Sequence, residues 1–302
     1  MSLPRFDAHC DTLMRSDSLR SGAGHINLER LAKYAPSVQF FAIFAPPGVD
    51  TPENYAAIRD KFYTMIADNG DLVSFCRSAE DIRKATAEGK IAAMLSVEGS
   101  ALLGCDLENL RAAYADGVRL VNLTWNASNK LAGSCAEPEK GLSEEGKEFV
   151  RECGRLGIGV DLSHASDATF WDTMDCCVKP PLCSHSNARA VWEHRRNMSD
   201  DMIRAMIEKK GVIGLNLCPE FLGEGPGLTE VLAQIEHFME LGAEDCLCLG
   251  GDLDGIRALP CGWRGVEDME ALYNSLLKRR YSETLLEKIF FGNLMDYVER
   301  VL

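Results

Sequence analysis

Eight short apolar runs recur along this chain, separated by stretches with helical spacing, and few folds accommodate that rhythm. The runs cover residues 5–10, 38–44, 91–97, 118–124, 158–162, 181–183, 212–217 and 246–250. They are continuously apolar rather than alternating, which marks parallel strands buried on both faces. Between them, residues 51–69, 106–116, 143–156, 166–174, 199–210 and 229–241 carry apolar residues at helical spacing, and residues 282–302 close the chain as a last helix. Ser78, Ser143 and Ser199 are placed as N-caps, and Gly157 and Gly211 as stops. An α/β fold of the (β/α)8 TIM-barrel type fits both the strand count and the length of 302 residues. A doubly wound open sheet is the runner-up. No linker, composition break or internal repeat demands a second unit, so one domain over residues 1–302 is expected.

Charge narrows the partners. With 32 Lys and Arg against 46 Asp and Glu, the net charge is −14, which argues against nucleic acid or an anionic membrane as a partner. The 12 cysteines are scattered with no CxxC pair, and they read as buried, reduced thiols. No secretory pattern opens the chain, and no apolar run approaches the ~20 residues of a membrane span. A cytoplasmic location with no membrane anchor is therefore expected. A homodimer is allowed by the sequence and not fixed by it.

In a barrel of this kind the site lies at the carboxyl ends of the strands. The first run ends His9-Cys-Asp11, the third Glu98-Gly-Ser, the fourth Thr124-Trp-Asn126, the fifth Ser163-His164, the sixth Ser184-His185 and the eighth Gly251-Asp-Leu-Asp254. Three of the 6 histidines fall at these ends. Packing and propensity give no reason for such placement, whereas convergent titratable groups mark a site. His9 and Asp11 share one face of their strand because side chains alternate, and the same alternation turns Cys10 away. Three imidazoles and two carboxylates are too many for one tetrahedral zinc with an open position. They suit two divalent ions that share a bridging carboxylate and a bridging water. Glu98 is the natural bridge, and Asp252 is the leading general base. His25 and His237 read as surface or capping residues. Arg195-Arg196 follows the sixth strand closely enough to hold a substrate carboxylate.

These residues resemble the renal (membrane) dipeptidase family within the metal-dependent amidohydrolase superfamily. The resemblance covers nearly the whole chain and rests on Asp7-Ala-His-Cys-Asp11, Ser96-Val-Glu-Gly-Ser100, Asp161-Leu-Ser-His-Ala-Ser166, Ser184-His-Ser-Asn-Ala-Arg189, Arg195-Arg-Asn197 and Gly250-Gly-Asp-Leu-Asp-Gly255. It implies a barrel with two Zn2+ per chain, His9 and Asp11 on one, His164 and His185 on the other, and Glu98 between them. It also implies that Arg196 binds the C-terminal carboxylate of a small dipeptide, and that Asp252 handles the proton and contacts the substrate amine. Hydrolysis of dipeptides, with a D-residue tolerated at the C-terminal position, is the activity implied. Other divalent metals fit such ligands too, and no further cofactor is expected.

One departure bears on the substrate. Relatives of this kind carry a histidine after Leu-Thr in the fourth strand, where this chain has Leu123-Thr-Trp-Asn126. Trp125 offers one indole N–H donor. Trp125 and Asn126 are therefore read as substrate-contacting residues, with Asn126, Asn129 or the Trp125 N–H facing the developing oxyanion, or the metals stabilising it unaided. An N-acyl amino acid, a lactone or another small amide is the alternative substrate class. A catalytically idle metal-binding protein is the reading from a different class.

Overall fold

The computed structural model describes residues 3–20 and 24–302. Eight parallel strands close into a barrel: β1 (Arg5–Asp7), β2 (Ser37–Phe44), β3 (Ile91–Glu98), β4 (Val118–Asn122), β5 (Gly159–Asp161), β6 (Leu182–Ser186), β7 (Val212–Leu215) and β8 (Leu247–Leu249). Each pairs with its neighbours in sequence, from Phe6 opposite Val38 to Leu215 opposite Leu249, and the pairing of Asp7 with Leu249 closes the ring. All eight expected runs are strands of this barrel. The runner-up, an open sheet, is set aside by that closure. A further short strand, Val73–Phe75, pairs with the start of β3 and was not singled out in the sequence. It carries only three residues, with burial broken after the first.

Helices sit between the strands. The Ser78, Ser143, Ser166 and Ser199 side chains each accept a backbone N–H from the first turn of the helix that follows, as N-caps do. Gly157 ends its helix in the left-handed conformation at φ 79°. The expected terminal helix is divided into Glu283–Glu287, a π-helical turn at Lys288–Gly292 and Asn293–Val301. Sequence periodicity does not report such a local change of hydrogen-bond register. A helix over Met269–Lys278 also escaped the sequence reading, and its end carries the exposed Lys278-Arg-Arg280 run. Among the described residues no helix is long and apolar enough to cross a membrane.

Alternation along β1 explains how the barrel is filled. Phe6 and Ala8 pack outward in one cluster with Leu294, Tyr297 and Val298 of the last helix. Arg5 and Asp7 are fully buried and pair at 2.9 Å, with Gln39 Oε1 accepting a second Arg5 N–H at 2.9 Å. Toward the other end the strands approach closely. A Cβ added to Gly214 or Gly250 would lie 2.0 or 1.8 Å from the carbonyl oxygen of Ser184. Only glycine fits there, and the contact fixes β6 against β7 and β8 just below His185.

Candidate metal centre

Asp7 links the buried base to the open end of the barrel. Its carboxylate accepts the backbone N–H of His9 at 3.0 Å and that of Gly251 at 3.2 Å. One buried acid thus sets the exit of β1 against the exit of β8. His9 and Asp11 leave β1, Glu98 is the last residue of β3, His164 follows β5, His185 belongs to β6 and Asp252 follows β8. His164 and Asp252 hold backbone φ of 72° and 55°. Non-glycine residues in that region carry strain, which collects at functional sites.

These side chains converge. His9 Nε2 lies 3.1 Å from Asp11 Oδ2, 3.7 Å from Glu98 Oε2 and 3.9 Å from Asp252 Oδ1. The other Glu98 oxygen, Oε1, lies 2.9 Å from His164 Nε2 and 3.7 Å from His185 Nε2. Glu98 therefore divides its two oxygens between His9 and the His164–His185 pair. Ligand atoms of His9, Glu98 and His185, and separately of His9, Asp11 and Asp252, lie within 4.8 Å of one another.

Outer partners orient the rings. His164 Nδ1 faces Asn126 Oδ1 at 2.8 Å, so the amide oxygen accepts the Nδ1–H hydrogen bond and Nε2 is left with its lone pair. His185 Nδ1 is 2.7 Å from Ser184 Oγ. The two Nε2 atoms then face each other at 2.9 Å, beside a carboxylate oxygen. Lone pairs gathered in this way repel unless a cation sits among them. Asp11 Oδ1 is buried without a hydrogen-bond partner, a further donor atom with no ligand of its own in the protein. The residues present fit divalent cations.

The electrostatics agree. Burial alone would depress the His9 imidazole, yet the charges of Asp11, Glu98 and Asp252 outweigh it and hold His9 well above its usual range. Burial raises Glu98, with the Asp11 charge adding to it, and burial raises Asp252. Burial pushes His164 and His185 well below the ordinary imidazole range, and the Arg196 charge pushes the same way. Neutral imidazoles are the ligand form. The site concentrates more negative charge than its imidazoles neutralise. Protons or a bound divalent cation can make up the difference.

A cavity of about 510 Å³ opens over these groups. Asp11, Glu98, His164 and Asp252 form its floor, while Phe44, Trp125 and Phe221 are among its apolar walls. The Trp125 and Phe44 rings pack with centroids 5.0 Å apart. Arg196 does not line this cavity. It lies in a small adjoining one that shares His164, its guanidinium 5.3 Å from the Phe221 ring centre. Arg196 is 6% exposed, and its Nε and Nη2 have no hydrogen-bond partner.

Each expected site residue is thereby placed: His9, Asp11, Glu98, His164, His185 and Asp252 together, Trp125 and Asn126 on the cavity wall, Arg196 behind it. Asn126 reaches His164 as well as the cavity. Asn129 is engaged by its own loop, donating to Ser100 Oγ and the Leu123 carbonyl and accepting from Leu131 N–H, so its amide is occupied away from the cavity. His25 accepts the Asp254 N–H through Nδ1, and His237 pairs with Asp200. Cys10 is fully buried in the apolar core. Sequence reasoning missed Asn216, whose amide donates to the His185 carbonyl at 3.2 Å and to Asp252 Oδ2 at 3.3 Å. Its signal was a lone amide at the end of the apolar seventh run.

Comparison with known proteins gives the same picture. A family model described as membrane dipeptidase, peptidase family M19, matches residues 1–301. The dipeptidase tcpJ of Claviceps purpurea is 30% identical over 300 residues, covering 92% of this chain and 70% of that protein. The crystal structure of a metallo peptidase from Rhodobacter sphaeroides, liganded with a phosphinate mimic of the dipeptide L-Ala-D-Ala, is similar with a TM-score of 0.92 at 26% identity, covering 100% of both chains. A dipeptidase described as a metallo peptidase of family M19 reaches 0.91 at 27% identity, covering 100% of this chain and 99% of its own. On the full-length family match and these dipeptidase relatives, the chain belongs to the membrane dipeptidase family, peptidase family M19, and is a metallo-dipeptidase.

Proposed function

We propose that this chain hydrolyses small dipeptides with two divalent cations, zinc being favoured by an imidazole-rich, thiolate-free ligand set. His9 and Asp11 would hold one cation and His164 and His185 the other, with Glu98 offering one oxygen to each. The observation that carries this reading is the division of the Glu98 oxygens, one toward His9 and the other toward the His164–His185 pair. Bound there, the cations supply a water activated near neutral pH and polarisation of the scissile carbonyl.

The rest falls to the protein. Arg196 receives the substrate's terminal carboxylate, since its buried guanidinium has N–H groups with no other acceptor. Asp252 takes up the proton of the attacking water and passes it to the leaving amine, while the Asn216 amide fixes its carboxylate. The apolar walls at Phe44 and Trp125 exclude water and contact the substrate's side chains, and Asn126 orients His164 beside it. Tolerance of a D-residue at the C-terminal position is supported by the Rhodobacter sphaeroides relative, whose ligand mimics L-Ala-D-Ala. A reducing, cytoplasmic location is supported by 12 unpaired cysteines, although Cys176 and Cys177 are half-buried and Cys261 is exposed rather than buried as expected. Residues 1–302 are read as one catalytic domain.

Metal analysis combined with hydrolysis of L,L and L,D dipeptides tests the proposal. Asp252→Asn should lower kcat by about 10²–10⁴-fold, the usual worth of a general acid–base group, with both cations retained. Near-full activity in that variant sinks the role of Asp252. The aromatic pair Phe44–Trp125 favours one second reading, an N-acyl amino acid substrate. Faster turnover of N-acetylated than of free dipeptides would select it.

A further inference from the structure

The large cavity is not closed on the side of the β1 and β8 exits. Arg15, Asp254, Ile256 and Arg257 are shared between it and a lateral cavity of about 240 Å³, which also touches Gly24 and His25. The Arg15 guanidinium is anchored by carbonyl oxygens, Nε donating to Asp254 at 2.8 Å and Nη2 to Ile256 at 3.4 Å. Carbonyl dipoles fix its position without cancelling its charge. Arg257 is exposed. Elsewhere Arg20, Arg30, Arg59 and Arg189 are paired with acids. Among the described residues Arg15 and Arg257 have no such pair, in a chain whose net charge is −14. The acid that lines the lateral cavity is already occupied: Asp254 Oδ2 accepts from Thr12 Oγ1 at 2.7 Å and Oδ1 from the His25 N–H at 2.5 Å.

Two arginines without acidic partners line both the large cavity and its lateral extension, and guanidiniums suit a carboxylate by charge and by their forked donors. Arg196 stands on the connection after β6, whereas this pair stands on the connections after β1 and β8, beside Asp252. We infer that the lateral cavity is a subsite for a second substrate carboxylate, the side chain of an acidic residue on the amino-terminal side of the scissile bond, held by Arg15 and Arg257. The inference rests on the dipeptidase reading above and adds a substrate preference to it.

The test compares kcat/KM for L-Glu-D-Ala with L-Gln-D-Ala, and L-Glu-L-Ala with L-Gln-L-Ala. Glutamate and glutamine are nearly isosteric, so each ratio isolates the charge. The native enzyme should favour the glutamyl substrate by about tenfold, the worth of a charge-assisted hydrogen bond, and the preference should shrink with added salt. Arg257 is exposed and has no ion pair that the fold relies on, so its variants fold. Arg257→Ala should bring the ratio near one, and Arg257→Glu should carry it below one. A ratio near one in the native enzyme, or one unmoved by both variants, overturns the subsite and leaves the dipeptidase reading standing. Hydrolysis of none of the four substrates overturns the dipeptidase reading and this inference with it.

Discussion

Replacing Asn126 with alanine separates two roles that a cavity-wall amide can play. Asn126 Oδ1 is 2.8 Å from His164 Nδ1 and, among the described residues, is the side-chain acceptor that orients this ring. Thr124 and Cys135 hold His164 only through its backbone carbonyl, at 3.3 and 2.8 Å. Without Asn126 the imidazole can rotate about its last side-chain bond and move its proton to Nε2. That nitrogen would then no longer face Glu98 Oε1 with a lone pair. Loss of an outer partner of a metal-binding histidine costs about 10–100-fold in affinity, or about 1.4–2.7 kcal/mol. The assay is a cation titration of the stripped enzyme against a chromophoric chelator, which resolves the two binding steps that the proposed function calls for. We expect one step to weaken by that factor in Asn126→Ala, the other to stay within a few-fold, and Asn126→Asp to restore affinity. Native affinity at both steps with a depressed kcat would refute the argument and assign Asn126 to the substrate instead.

Asp7→Asn leaves the fully buried Arg5 without its counter-charge and should destabilise the fold by about 3–5 kcal/mol; an unfolding free energy from urea titration that falls by less than a quarter of this would contradict the linkage of β1 to β8 through that acid. Gly214→Ala brings a methyl group to 2.0 Å from the Ser184 carbonyl, and soluble protein with native Tm in this variant would show that the strands separate at little cost. Chelation should lower Tm, because each cation present at a hundredfold its Kd adds about 2.7 kcal/mol to the folded state. Calorimetry that finds Tm unchanged after complete metal removal would mean that the strand ends are held together by the protein alone.

The barrel was legible because its strands are buried on both faces, so each run carries its signal in composition alone. The candidate ligands were legible for the opposite reason: His164 and His185 are polar interruptions at the ends of apolar runs, with no packing purpose. What escaped depends on partners that sequence spacing does not reveal. Asn216 sits inside the expected seventh run and carried no signal of its own beyond a lone amide, yet that amide joins His185 to Asp252. Asn126 and Asn129 looked equivalent, but one faces a histidine ring and the other braces its own loop. The π turn at Lys288–Gly292 is a change of hydrogen-bond register inside an unbroken helical pattern, and periodicity is blind to it. The strand Val73–Phe75 was too short and too weakly apolar to register.

Trp125 lines both the large cavity and a second one of about 130 Å³ bounded by Ala45, Pro47 and Asn129, so its indole is a partition between two chambers. It is seated by ring contacts, with Phe44 at 5.0 Å and His164 at 6.1 Å, and it contributes no atom to the carboxylate and imidazole groups that converge on the barrel floor. Substitution at this one position would redraw the room above the floor without removing any of the carboxylate or imidazole groups that converge there. Chamber volume and the converging acids and imidazoles thus sit on separate residues, so the shape of the chamber can change while those groups are kept.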